Sequence, residues 1–172
     1  MRLKWFGTAT IMLEQDGTRL LFDPFIPLND KVFKPQISEL ASVDNIFVTH
    51  DHLDHIADLP AIMKQGNAKS IVYCTANQIK TLISIGVDNK RIHKIVTGNV
   101  YNFGPFEVRA LKSKHIVYDK GLIIKTFLSP RILANWAIFR QMRKESKNFA
   151  EAGETVAYDI VTAVNEFFYW VV

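Results

Sequence analysis

The sequence predicts an α/β fold, and two patterns with a loaded junction between them predict it. The opening segment alternates apolar and polar residues and reverses at Asp16-Gly17, as an antiparallel meander does. From residue 45 onward, β-branched and aromatic runs alternate with helix-periodic ones, as in strand–helix units. At the junction, directly after a strand-like run, stands the most chemically loaded stretch of the chain, Thr49-His50-Asp51-His52-Leu53-Asp54-His55.

In order, Arg2 to Phe6 and Ala9 to Glu14 read as strands, and Asp16-Gly17 is a tight hairpin signal leading into Arg19 to Phe22. Asp23 closes that third strand beside Pro24, where a carboxylate also suits a turn. Residues 24 to 44 hold three prolines, Asn29-Asp30 and few periodic apolar positions, the composition of a long surface loop. Within it Phe25, Ile26, Leu28 and Phe33 are expected to pack on the core or rim a pocket. Asn45 to Thr49 is the strand that feeds the histidine stretch, and Asp58, Pro60 and Gly66 read as cap, first turn and stop of a short helix.

Ser70 to Cys74 is an apolar strand. Thr75 to Gln78 has capping-box spacing, and Ile79, Leu82 and Ile83 form the apolar stripe of a helix ended by Gly86. His93 lies in a short strand, Arg91 to Ile95, whose alternation sets it opposite Ile92 and toward solvent. Pro105 to Leu111 is a further strand, with His115 in the loop past its end. Ser129-Pro130 opens a helix whose residues 131 to 144 put Ile132, Leu133, Trp136, Phe139 and Met142 on one face and Arg140, Arg143 and Lys144 on the other. That helix is expected to pack on the domain with a solvated basic face; a lid over the site, or a surface for an acidic partner or anionic membrane, is the sharper alternative. Gly153 to Ile160 starts another strand, and Asn165 to Val172 is an aromatic tail.

With 172 residues and 48% apolar composition the chain is expected to form a single domain, residues 1–172, with a substantial core. Charges interleave the first apolar residues, so neither a signal peptide nor a membrane span is expected. One cysteine, Cys74, forms no internal disulfide, and a cytoplasmic location follows as the expectation. The net charge of +4 and pI near 9.2 suit a small anionic substrate, but fall short of a dedicated nucleic-acid binder.

The histidine stretch carries the chemistry. In an extended loop, side chains at i and i+2 point the same way, so His50, His52 and Asp54 are expected to converge while His55 turns elsewhere. One cation could take His50 and His52 and a second Asp54 and His55. Imidazole and carboxylate are ligands that zinc, manganese and iron accept, and no cysteine lies close enough for a closed thiolate site. Solvated loop histidines are the plainer alternative, and four potential ligands packed this tightly argue against it.

The stretch resembles the H-x-H-x-D-H signature of the metallo-β-lactamase superfamily, with the strand before it and the helix after it in the family's positions. The resemblance extends back to Leu21-Phe22-Asp23-Pro24 and forward to Lys112-Ser113-Lys114-His115, covering about residues 1 to 160. It is closest to the small stand-alone metal-dependent hydrolases, the branch that includes phosphorylated-ascorbate lactonases. It implies an αββα sandwich, His115 as a third imidazole ligand beside His50 and His52, and Asp23 supporting the metal loop from outside the ligand set. It also implies a zinc-dependent hydrolase acting on an ester, lactone, amide or phosphodiester, with Asp54 orienting or deprotonating the water.

Two departures accompany the resemblance. The family continues through a second half that supplies a bridging aspartate and a last histidine, and no histidine follows His115 here. Asp159 sits inside a strand rather than in a loop after it, so it is not assigned as the bridge. The expectation is therefore a sandwich with an incomplete second half, a weakly held second ion, and an apolar tail exposed unless it packs or self-associates. The rival function is a catalytically impaired metal-binding remnant acting through its contacts; a nuclease is a third possibility.

Overall fold

The computed structural model describes residues 1–114 and 155–170, together with Pro130, Trp136, Ala137, Arg140 and Gln141. Three N-terminal strands, β1 (Arg2–Gly7), β2 (Thr10–Gln15) and β3 (Thr18–Phe22), form the expected antiparallel meander. Asp16 and Gly17 both have positive φ, 50° and 80°, the mirror-image turn whose twist matches a two-residue hairpin. Strands β4 (Asn45–Phe47), β5 (Ile71–Cys74) and β6 (Ile92–Lys94) then add in parallel, giving a six-stranded sheet in the order β1-β2-β3-β4-β5-β6. A second, antiparallel sheet has the order β10-β9-β8-β7, from β7 (Val100–Phe103), β8 (Phe106–Ser113), β9 (Thr155–Val161) and β10 (Glu166–Tyr169).

Period-2 alternation sorts the side chains into two cores. Leu13, Leu20, Phe22 and Phe47 face Phe106, Val108, Ala110, Val156, Tyr158 and Ile160 of the other sheet. The alternate residues Met12, Leu21, Ile46, Val72 and Cys74 face the helices. These are α1 (Ile37–Leu40), α2 (Leu53–Ile56), α3 (Leu59–Gln65) and α4 (Ala76–Ser84), whose Leu40, Ile56, Leu59, Ile62 and Leu82 complete that core. Helix layer, sheet and sheet are three of the four layers of the αββα sandwich. At Gly66, closing α3, a Cβ would meet Ala41 O at 2.9 Å, so the close approach of α3 to α1 requires glycine there.

Four local expectations change. The segment 24–44 contains α1, and while Phe25 is buried, Phe33 is exposed. Asp58 stands at the N-cap of α3 without capping it, because its Oδ2 accepts from Ile26 N at 2.6 Å and pins the long loop instead. Among the described residues of the aromatic tail, Phe168 and Trp170 lie open, whereas Tyr169 is buried. His93 is at the surface as expected, and Asp159 lies within β9. Of the helix expected over 130–144, the five described positions are helical, and Trp136 is exposed rather than buried; its other residues lie outside the described ones.

Candidate metal centre

Strands β3, β4 and β5 run parallel, so their C-terminal ends share one sheet edge, the place where α/β folds collect functional loops. Asp23 leaves β3, the histidine stretch leaves β4, and Thr75 leaves β5 into α4. The second sheet reaches the same edge: Val156 N donates to Thr49 O at 3.0 Å, and β8 ends with Ser113 paired to Thr155.

Asp23 is fully buried with φ 43°, a left-handed conformation that Asp tolerates, and it extends the ladder by donating its own N–H to Phe47 O at 3.0 Å. The bend turns its carboxylate under the histidine loop. Oδ1 accepts from Thr49 N at 2.7 Å, and Oδ2 accepts from Thr49 Oγ1 at 2.7 Å and from the Tyr169 hydroxyl at 2.9 Å. His55 Nδ1 is 3.0 Å from Oδ2, at the distance of an ion pair but without the alignment of a hydrogen bond.

The histidines meet above this carboxylate. His50 Nε2 faces His52 Nδ1 at 3.1 Å, and the His50 ring lies 4.5 Å from that of His52 and 4.0 Å from that of His55. His55 therefore does not turn elsewhere. The alternation ends at His52, which is extended (φ −75°, ψ 155°) and stands at the N-cap position of α2 without a side-chain capping bond; from Leu53 the backbone is helical, and the helical step swings His55 back against His50. Asp54, on the outer side of that turn, is 38% exposed in its side chain, with Oδ1 3.8 Å from His55 Nε2. His115 lies outside the described residues.

Behind the loop, α4 presents polar groups that the apolar-stripe reading overlooks. Gln78 Nε2 donates to Thr49 O at 2.9 Å, its Oε1 accepts from Thr75 N at 2.9 Å, and Thr81 Oγ1 donates to Asp51 Oδ2 at 2.8 Å. Gln78 and Thr81 are three apart, on the face that also carries Leu82 inward, so the helix holds the loop and the core with one side. The capping-box spacing was the sequence signal for Gln78; nothing local signals Tyr169.

Electrostatics follow from this burial. Desolvation pulls the His55 pKa down, but the Asp23 carboxylate in contact with it, helped by Asp54, outweighs that and leaves it above the ordinary 6.5. Burial, aided by the charge of Asp51, pushes the Cys74 thiol up to about 12.

The donor set can be tested against a metal ion. Two imidazole nitrogens on one tetrahedral zinc, each at 2.0–2.1 Å, stand about 3.4 Å apart. The 3.1 Å between His50 Nε2 and His52 Nδ1 is within a few tenths of that spacing. The pair fits a shared ion; among the described residues no three His, Cys, Asp or Glu side chains are grouped to complete one.

A family model described as a beta-lactamase superfamily domain matches residues 18–127. A UPF0173 protein of Pyrococcus furiosus is 31% identical over 129 residues, 73% of this chain and 55% of its own length. A UPF0173 metal-dependent hydrolase of Carboxydothermus hydrogenoformans is 32% identical over 116 residues, 67% of this chain and 48% of its own. The chain thus spans about half the length of these curated relatives. Among solved structures, an isothiocyanate hydrolase from Delia radicum gut bacteria superposes with TM-score 0.59 at 17% identity, covering 95% of this chain and 59% of that one. A subclass B3 metallo-β-lactamase from a soil metagenome library gives TM-score 0.55 at 15% identity, covering 95% and 55%. Likeness at these identities is likeness of fold.

Proposed function

This chain belongs to the beta-lactamase superfamily, as the match over residues 18–127 shows, and from that premise we propose that it is a metal-dependent hydrolase whose ion, zinc first, is held by His50 and His52. The observation that carries the reading is the 3.1 Å approach of His50 Nε2 to His52 Nδ1 at a sheet edge where a buried carboxylate supports the loop. His115 is the proposed third ligand, since β8 ends two residues before it, beside Thr155 and the histidine loop. Asp54 and His55 are the proposed ligands of a second ion, with manganese or iron as alternatives to zinc. When bound, the ion would supply Lewis acidity toward a carbonyl or phosphoryl oxygen and lower the pKa of water from about 16 toward 7.

The chain's own residues do the remaining work. Asp54, the solvent-facing carboxylate beside the imidazoles, would orient the attacking water and take its proton. Asp23 would hold Thr49 and His55 so that the loop keeps its shape through turnover. Substrates consistent with this chemistry are esters, lactones, amides and phosphodiesters, and the net charge of +4 favours anionic ones.

Elemental analysis of the purified chain, with His52→Ala alongside, is the test. Bound zinc in the unaltered chain that is lost in the variant, together with turnover of a nitrophenyl ester or phosphodiester lost in the same variant, is the expected result. A chain that takes up no zinc, manganese or iron on reconstitution refutes the reading. Bound metal without turnover identifies a metal-binding remnant instead.

A further inference from the structure

The Thr49 hydroxyl stands between the buried carboxylate and the first histidine of the loop. Its Oγ1 is 2.7 Å from Asp23 Oδ2 and 3.0 Å from His50 Nδ1, and Thr49 is fully buried. A hydroxyl has one hydrogen to donate and lone pairs with which to accept. Thr49 Oγ1 donates to Asp23 Oδ2, so that hydrogen points at Asp23. Toward His50 the oxygen can then act only as an acceptor, which requires the imidazole to carry its hydrogen on Nδ1. His50 Nε2 is left with its lone pair directed at His52 Nδ1, 3.1 Å away.

We infer that Thr49 is a positioning residue for metal binding: held by Asp23, its hydroxyl selects the His50 tautomer whose Nε2 is ready to ligate. The inference rests on the proposed metal site, but its core is a statement about the metal-free protein. Before an ion arrives, His50 Nε2 accepts from His52 Nδ1–H, so His50 is preset and the hydrogen of His52 must move to its own Nε2 or leave. The Tyr169 hydroxyl and Thr49 N, both donating to Asp23, keep the carboxylate turned toward Thr49.

Nitrogen NMR of the imidazoles in the unaltered, metal-free protein reads the tautomer directly. The expected result is Nδ1–H on His50, becoming a mixture of tautomers in Thr49→Val, which removes the hydroxyl and keeps the shape. Zinc affinity, measured by competition with a chromophoric chelator, is expected to fall about 10- to 100-fold in Thr49→Val and to be restored in Thr49→Ser. An Nε2–H tautomer on His50 in the unaltered protein overturns the inference, and that measurement stands even if the valine variant does not fold. Unchanged zinc affinity in a folded Thr49→Val also overturns it. A protein that binds no zinc yet carries Nδ1–H on His50, lost in the variant, upholds the tautomer relay and refutes the metal site on which its purpose rests.

Discussion

The hydroxyl of Tyr169 donates to Asp23 Oδ2 at 2.9 Å, joining residues 146 positions apart in sequence. It also contacts Ala9 O, so the end of β10 is tied to the β1–β2 turn and to the carboxylate beneath the histidine loop. The tail closes on the underside of the site.

Tyr169→Phe should therefore destabilise the protein by about 1–2 kcal/mol, the cost of leaving a buried acceptor short of a donor. The ring keeps its packing against Phe22, with centroids 5.1 Å apart, so the loss isolates the hydroxyl. Urea denaturation reads it as a lower midpoint with an unchanged slope, and an unchanged midpoint would show that the contact contributes nothing.

A pH dependence follows from the Asp23–His55 contact. Because the folded pKa of His55 is above 6.5, folding favours the protonated ring; its stabilisation is fully present below 6.5 and is lost as the pH rises through the folded value. In the metal-free protein, stability should decline over that interval. Asp23→Asn, which can keep the left-handed backbone, should flatten the decline by removing the charge that raises the pKa. Denaturation midpoints on both sides of 6.5 check the slope, and a slope of the same size in the variant would assign it to another group.

Phe47 anchors the interface between the sheets. Its ring stacks on Phe22 and Tyr73, both at 5.0 Å, and meets Phe103 and Tyr158 edge-on at 5.2 and 5.3 Å. Phe47→Ala should cost about 3–5 kcal/mol, because the four rings packed around it cannot collapse into the space it leaves. Thermal or urea unfolding measures it, and a loss under about 1 kcal/mol would mean the interface repacks.

Cys74 should be chemically silent. With its thiol pKa pushed up to about 12 and its sulfur buried in the helix-facing core, almost no thiolate exists at neutral pH. A thiol-reactive disulfide reagent should fail to label the folded protein and label it stoichiometrically in guanidinium; rapid labelling without denaturant would contradict the burial.

Periodicity alone carried much of this protein. The meander, the Asp16-Gly17 hairpin, the β5–α4 unit and the surface position of His93 were legible because each depends on near neighbours, and the resemblance added the sandwich. The histidine loop was legible as a cluster of ligand types, but its geometry was not: extended alternation placed Asp54 with His50 and sent His55 away, whereas helical backbone from Leu53 packed His55 on His50. Thr49, Thr81 and Tyr169 escaped for a related reason. Their roles come from partners in other elements, brought to one edge only when β3, β4 and β5 align and the second sheet closes over them. A residue's own sequence neighbourhood decides which backbone it adopts, while a buried carboxylate takes its donors from whatever chain the tertiary packing presses against it, and that pressing is a property of the whole core.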